Sequence, residues 1–175
     1  MKNFLLLITL CIIAISANAQ PKAKTVSNHS LSIYTVGASY NYEQTLGGKM
    51  TIIAHAGLLM SHMVWSMAGF EYSINPGLGL EARYYYNLDR RKSRGKNTDY
   101  NSANYLSLDQ YFMFKPVTSQ NMSKTSGYLV APHWGIRRVY NDRWLLEFNL
   151  GIRCFVESKS VTLAPRLNLK FGIVF

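Results

Sequence analysis

Apolar and polar residues alternate one by one along most of this chain. In the run that closes the sequence, the apolar residues share one parity: Leu163, Leu167, Leu169, Phe171, Ile173 and Phe175. The intervening positions are mostly polar or small: Ala164, Arg166, Asn168, Lys170 and Gly172. Successive side chains of a β-strand point to opposite faces, so this period of two predicts a strand with one apolar and one polar face.

Six earlier runs alternate in the same way, some with more exceptions. They cover residues 34–42, 50–60, 74–88, 106–114, 128–140 and 144–156. Their lengths are close to the ~9–11 residues of a membrane-spanning strand. Because bacterial barrels have even strand numbers, we assign an eighth strand to residues 24–33. The pattern predicts an all-β fold, an eight-stranded antiparallel up-and-down transmembrane β-barrel.

Alternation does not by itself say which face points outward. Charged residues make up only 16% of the chain, against ~25% in typical soluble domains. The polar face is rich in glycine, which suits a narrow barrel interior: Gly37, Gly57, Gly77, Gly79, Gly135, Gly151 and Gly172. Aromatic residues collect near segment ends, as at membrane boundaries: Tyr42, Tyr86, Tyr140, Trp144 and Phe175. These features favour an apolar face turned to lipid; the alternative is a soluble, lipocalin-like barrel that binds an apolar ligand.

The N-terminus has the pattern of a secretory signal peptide. Lys2 precedes an apolar core at residues 4–15, and Ala17-Asn18-Ala19 provides small residues for cleavage after Ala19. That core is shorter than the ~20 residues of a membrane-spanning helix, and no later stretch approaches that length. Residues 1–19 are therefore predicted to be removed. Residues 20–175 are predicted to form one barrel domain in the cell outer membrane.

The overall charge bears on the surroundings of the protein. The formal net charge is +10, which favours an anionic neighbourhood such as lipid phosphate. Nucleic acid is a poor candidate for an exported chain. Loss of residues 1–19 leaves Cys154 as the single cysteine, so no internal disulfide is expected.

Several motifs resemble one family. They are the stretch from Arg83 to Arg91 (RYYYNLDRR), Gly95-Lys96-Asn97-Thr98, Asn104-Tyr105-Leu106-Ser107-Leu108, Trp134-Gly135-Ile136-Arg137-Arg138 and Pro165-Arg166-Leu167-Asn168-Leu169. Together they resemble small outer-membrane β-barrel proteins of Bacteroidota. The resemblance implies a β-barrel, and it implies that the terminal aromatic Phe175 is read by the barrel-insertion machinery during assembly. It brings no catalytic residues.

The polar face carries charges that a narrow lumen must pair, because an isolated desolvated ion is very costly. The predicted lumen network comprises Glu81, Arg83, Asp109, Arg137, Glu147, Arg153, Arg166 and Lys170. Counting across the turns sets Arg137 opposite Glu147 and Glu43 opposite Lys49, and it brings Asp109 near Glu81 and Arg83. Our leading interpretation is a plug of salt bridges. The rival is a small anion-preferring pore lined by the arginines and Lys170.

A basic run lies in the connection at residues 89–101. Its cations are Arg90, Arg91, Lys92, Arg94 and Lys96, and it lacks the glycine spacing of a phosphate-binding P-loop. One interpretation is a solvated turn. The other is a contact for lipid phosphate or for an acidic envelope partner. With Phe175 on the periplasmic side, this connection and the turns at 45–48 and 141–143 are expected to be periplasmic.

Candidate chemistry is otherwise sparse. Inward-pointing His55 and His133 could form a metal site, but hydrogen bonding within the lumen is the favoured interpretation. Ser61-His62 is weak support for a hydrolase, because adjacent strand residues point to opposite faces. We therefore expect no catalytic residues, cofactor or metal. The expected role is structural or interactive, with outer-membrane lipid and an envelope polymer or protein as partners.

Overall fold

The computed structural model describes residues 23–34, 37–66, 69–120, 126–156 and 161–175. The predicted signal peptide and its cleavage site lie outside the described residues. Among the described residues, no helix is both long and apolar enough to span a membrane.

The described chain is organised as nine strand segments and two short helical turns. The strands are β1 (Asn28–Tyr34), β2 (Gly37–Gly47), β3 (Met50–Ser66), β4 (Gly69–Tyr84), β5 (Asn104–Met113), β6 (Thr118–Gln120), β7 (Gly127–Tyr140), β8 (Trp144–Val156) and β9 (Val161–Val174). The helix α1 (Leu88–Ser93) and a 3-10 turn (Asp99–Asn101) lie between β4 and β5.

The strands close into a barrel. Strands that are adjacent in the wall pair antiparallel, and β9 pairs with β1. The short β6 pairs with β4 beyond the end of β5, so β5 and β6 together occupy one of eight positions around the barrel. The predicted eight-stranded, antiparallel, up-and-down β-barrel is therefore confirmed. The turns around residues 45–48, 89–101 and 141–143 all lie at the barrel end that holds Asn28 and Val174.

The alternation correctly separated the inner face from the outer face. Leu150 is 49% exposed on the outside of β8, whereas Glu147 on the same strand is 1% exposed in the lumen. Other exposed apolar residues point outward from all parts of the wall: Leu31, Ile33, Leu58, Leu78, Leu80, Leu106, Phe112, Ile152, Leu163, Leu167 and Phe171. The barrel thus has an apolar exterior and a polar core.

The first two strands differ from the sequence-based prediction. The first begins at Asn28 rather than at residue 24, and Tyr34 ends it instead of beginning the second strand. Tyr34 pairs with Gly37 across a two-residue connection, so the parity of inward residues changes from even in β1 to odd in β2. Tyr34 points inward but is aromatic, so in the sequence it continues the even-numbered apolar series of β2 and hides the change of parity. The boundary was misplaced for this reason.

The connection between β4 and β5 folds across one end of the barrel. The predicted run at 74–88 stops at Tyr84, and Leu88 instead begins α1. Tyr85, Leu88, Ala103 and Tyr105 are buried together with Ala23. Backbone and side-chain hydrogen bonds tie the connection to distant parts of the wall: Ser102 Oγ accepts from the Val139 amide at 2.8 Å, and Asn101 Oδ1 accepts from the Val26 amide at 2.8 Å. The connection between β4 and β5 is longer than an ordinary turn because it covers this end of the barrel.

Candidate functional site

The centre of the lumen is a bridge between two strands that are not neighbours. Arg83 on β4 donates through Nη1 and Nη2 to both carboxylate oxygens of Glu147 on β8, at 3.0 and 2.8 Å. It also donates to both oxygens of Glu81, two residues away on its own strand, at 2.7 and 2.9 Å. Paired guanidinium–carboxylate contacts of this kind are strong and strongly oriented. The bridge therefore fastens opposite walls of the barrel to each other.

Arg137 lies beside this bridge, on the side nearer the barrel end that the β4–β5 connection covers. It lies opposite Glu147 in the β7–β8 register, as predicted, with Nη1 3.5 Å from Glu147 Oε2. The same nitrogen lies 3.4 Å from Glu43 Oε2. Its Nε donates to the Tyr100 carbonyl oxygen at 2.9 Å, which joins the network to the connection that covers the barrel end.

Glu43 belongs to this network, and its predicted pairing with Lys49 is wrong. The β2–β3 register places Ile53, not Lys49, opposite Glu43. Lys49 instead forms an ion pair with Asp89 at 2.6 Å near the surface. Counting across the turn failed because the two strands continue to Gly47 and Met50, so that the turn is formed by Gly48 and Lys49 rather than by residues 45–48. A bulge between Thr45 and Gly47 adds a further shift of one residue.

Two tyrosine hydroxyls complete the hydrogen bonds of the buried acids. Tyr85 donates to Glu43 Oε1 at 2.8 Å, and Tyr105 donates to Glu147 Oε1 at 2.8 Å. Burial raises the pKa of the Tyr85 hydroxyl, so it remains a donor. The Arg83 guanidinium also lies 4.1 Å from the centre of the Tyr105 ring. The sequence analysis missed these roles, since an aromatic residue on a polar face is equally compatible with simple packing.

A second cluster lies further along the lumen. Arg166 on β9 donates to Asp109 Oδ2 at 2.7 Å, and His55 Nε2 lies 3.2 Å from Asp109 Oδ1. Asp109 is opposite Glu81 in the register, as expected, but Arg83 bonds to the glutamates rather than to Asp109. His133 Nε2 lies 3.2 Å from Glu81 Oε1. Each of the two histidines considered for a metal site thus faces a carboxylate.

The lumen glycines make room for these side chains. A Cβ atom on Gly79 would lie 1.9 Å from His55 Nε2, and one on Gly135 would lie 2.3 Å from the Tyr105 ring. Both glycines therefore sit where the network needs space, as the sequence pattern suggested for a narrow interior.

Space is distributed unevenly along the lumen. Around Glu43, Arg83, Arg137 and Glu147 the remaining cavity is about 10 Å³, roughly the smallest space that holds one water molecule. Beyond Asp109 a wider cavity of about 250 Å³ follows, which we call the cup. Lys170 lines both, with Nζ 3.6 Å from Glu147 Oε1. Arg153 lines the cup but is exposed, and it forms no ion pair with any described residue.

The basic run lies outside the lumen. Arg90, Lys92, Arg94 and Lys96 are exposed on α1 and the residues that follow it. Arg91 is partly buried and donates to the Asn97 carbonyl oxygen at 2.9 Å. This group of cations is therefore a surface feature at the covered end, separate from the lumen network.

Comparison with protein-family models, with curated protein sequences and with solved structures gives no significant match to this chain.

Proposed function

We propose that this protein is an integral outer-membrane β-barrel whose lumen is plugged by paired charges and whose role is structural or interactive. The observation that carries the proposal is the inverted arrangement of the side chains. Leucine, isoleucine and phenylalanine side chains cover the outside of the wall, whereas glutamate and arginine side chains form the core.

The energetics of this arrangement favour a lipid environment. Exposing apolar area to water costs roughly 25 cal/mol per Å², and contiguous apolar patches of this kind usually mark an interaction surface. A closed barrel also pairs its backbone groups internally, which a hydrocarbon environment requires. Because the apolar surface extends around the wall, a lipid bilayer is the partner that covers all of it.

Aromatic residues at the covered end support the same placement. Tyr140, Trp144 and Phe175 are exposed there, and His29 stacks against Phe175 with ring centroids 5.9 Å apart. Trp134 Nε1 donates to the Tyr86 hydroxyl at 2.8 Å on the outer surface. Rings with one polar group are typical of the boundary between hydrocarbon and headgroups.

The Arg83–Glu147 bridge favours a plug over a pore. Since the Arg83 guanidinium reaches both carboxylate oxygens of Glu147 across the lumen and little space remains beside it, an ion would have to displace the bridge. We expect the purified protein, inserted into a planar bilayer, to carry no steady current. A steady anion-selective current would instead support the rival pore lined by Arg83, Arg137, Arg153, Arg166 and Lys170.

We further propose that the basic run contacts lipid phosphate. Replacing Arg94 with Ser is expected to weaken the preference of the protein for anionic lipid by about 1 kcal/mol, the typical effect of one basic residue near a charged surface. The measurement is quenching of tryptophan fluorescence by brominated anionic or brominated zwitterionic lipid in mixed vesicles. The matched control is Lys115→Ser, an exposed cation beyond the other end of β5. Equal effects of the two variants would contradict a specific contact at this turn.

A further inference from the structure

The barrel wall has a notch above the hairpin formed by β1 and β2. The β1 pairing with β9 ends at Tyr34 and Lys170, although β9 continues back to Val161. The β2 pairing with β3 ends at Gly37 and Leu59, although β3 continues to Ser66. No described strand pairs with the edge of residues 161–169 that faces β1. The wall is therefore two strands short at this level.

The β9 edge at the notch has the features of an edge strand. Pro165 lies within it, and proline is confined to strand edges and bulges because it lacks an amide donor. The outward residues beside it, Leu163 and Leu167, are 70% and 67% exposed. An apolar, unpaired strand edge in contact with lipid is costly, so something other than lipid tails alone should cover it.

The cup lies directly behind the notch. Its lining includes Tyr34, Leu59, Arg166, Leu167 and Lys170, which are the residues that border the gap. It is thus bounded by the charge network below and by the notch at the side.

The lining of the cup combines positive charge with apolar walls. Three cations, Arg153, Arg166 and Lys170, face one lining carboxylate, Asp109. Arg166 is engaged by Asp109, while Arg153 has no acidic partner among the described residues. Asn168 also lines the cup, and its buried Oδ1 accepts no hydrogen bond within the described part of the chain. The cup therefore suits an anionic group that also carries a hydrogen-bond donor, such as a phosphate monoester.

The size of the cup limits what it can enclose. A volume of about 250 Å³ corresponds to roughly eight water molecules at ≈30 Å³ each, which is enough for a phosphate and a few methylene groups. A longer chain must leave, and the notch opens beside an outer groove of about 700 Å³. Ser39 borders both the cup and this groove, whose apolar lining includes Ile33, Leu58 and Phe171.

We propose that the cup binds the head group of a single-chain anionic amphiphile, whose tail leaves through the notch and lies along the apolar outer face. The inference rests on the proposed membrane location, because only there does the outer groove meet lipid tails. The unpaired cation, the apolar walls and the side opening all favour this occupant over a strand from another protein, which would need backbone pairing but no cup.

Native mass spectrometry in a neutral detergent provides the test, with dodecyl phosphate as the probe. We expect one saturable adduct on the folded barrel and no comparable adduct with inorganic phosphate. Arg153→Glu should weaken dodecyl phosphate binding by about tenfold or more, as expected for loss of a charged hydrogen bond. The matched control, Lys115→Glu, makes the same charge change at an exposed cation that belongs neither to the cup nor to the basic run, and it should leave binding unchanged. Arg153→Gln, which removes the charge without reversing it, gives the same comparison if the glutamate variant does not fold.

Several outcomes would overturn the proposal. The first is that the folded barrel forms no adduct with dodecyl phosphate. The second is that both Arg153 variants bind dodecyl phosphate as tightly as the parent protein does. The third is that inorganic phosphate binds as strongly as dodecyl phosphate. A dimer in place of the adduct would mean that a second copy covers the β9 edge. Insertion of the protein into vesicles is measured separately. Insertion without an adduct would contradict only the amphiphile site, whereas failure to insert would contradict the proposed membrane location.

Discussion

Replacing Glu147 with Ala is expected to lower the free energy of unfolding by about 3–5 kcal/mol, the typical cost of removing one partner from a buried ion pair. Glu147 is 1% exposed and accepts two hydrogen bonds from Arg83 and one from Tyr105. Arg137 and Lys170 lie 3.5 and 3.6 Å from its carboxylate. Alanine leaves these cations facing one another without the central acid. The urea midpoint of the barrel in detergent micelles, followed by tryptophan fluorescence, measures the loss.

Two further variants separate the charge from other effects of the substitution. Glu147→Gln keeps the shape and an acceptor for Tyr105 but removes the charge, so its loss should be smaller than that of alanine. Asp99→Ala removes an acid that is exposed on the connection between β4 and β5, and it should leave the midpoint nearly unchanged. A midpoint for Glu147→Ala equal to that of the parent would mean that water already solvates the arginines, and the plugged lumen would have to be abandoned.

The part of the network that follows from strand pairing could be predicted from sequence. The turn between β7 and β8 is short and is marked by Asn141, Asp142 and Arg143, so counting outward from it places Arg137 opposite Glu147. Parity likewise separated lumen residues from outer residues along most strands. Both inferences need only the two-residue period of a strand and the correct position of one turn.

Contacts across the lumen could not be predicted in this way. Arg83 and Glu147 lie on strands that are not neighbours, and their meeting depends on the tilt of the strands and on the diameter of the closed barrel. Neither quantity is visible in the alternation of one segment. The same limit explains why Arg153 was grouped with the network, although it points into the open cup.

The cover between β4 and β5 was missed for a different reason. Tyr86 and Leu88 continue the alternation of β4, but the chain has already left the sheet and Leu88 is buried against Tyr85 and Tyr105. A short helix of six residues shows too little periodicity to stand out from the strand that precedes it. Its basic residues marked it as unusual without indicating that it folds over the barrel end.

Replacing Leu150 with Arg is expected to reduce the stability of the barrel in phospholipid vesicles by roughly 2–4 kcal/mol, the cost of an arginine on the lipid face near the bilayer midplane. Leu150 lies halfway along β8 and points outward, with half of its surface exposed. An arginine there has no lumen partner, since the wall separates it from the buried carboxylates. Urea titration of the protein folded in vesicles measures the change.

The matched control uses the same substitution at another depth on the same strand. Val156 also points outward but lies at the end of β8, where an arginine near the headgroups should cost only about 0–1 kcal/mol. A difference between the two variants therefore reports the depth of a hydrocarbon layer rather than the loss of an aliphatic side chain. In water the two sites would respond alike, because both are exposed and neither contacts the charge network. Equal and small effects at Leu150 and Val156 would thus show that the apolar face of the barrel is not covered by lipid.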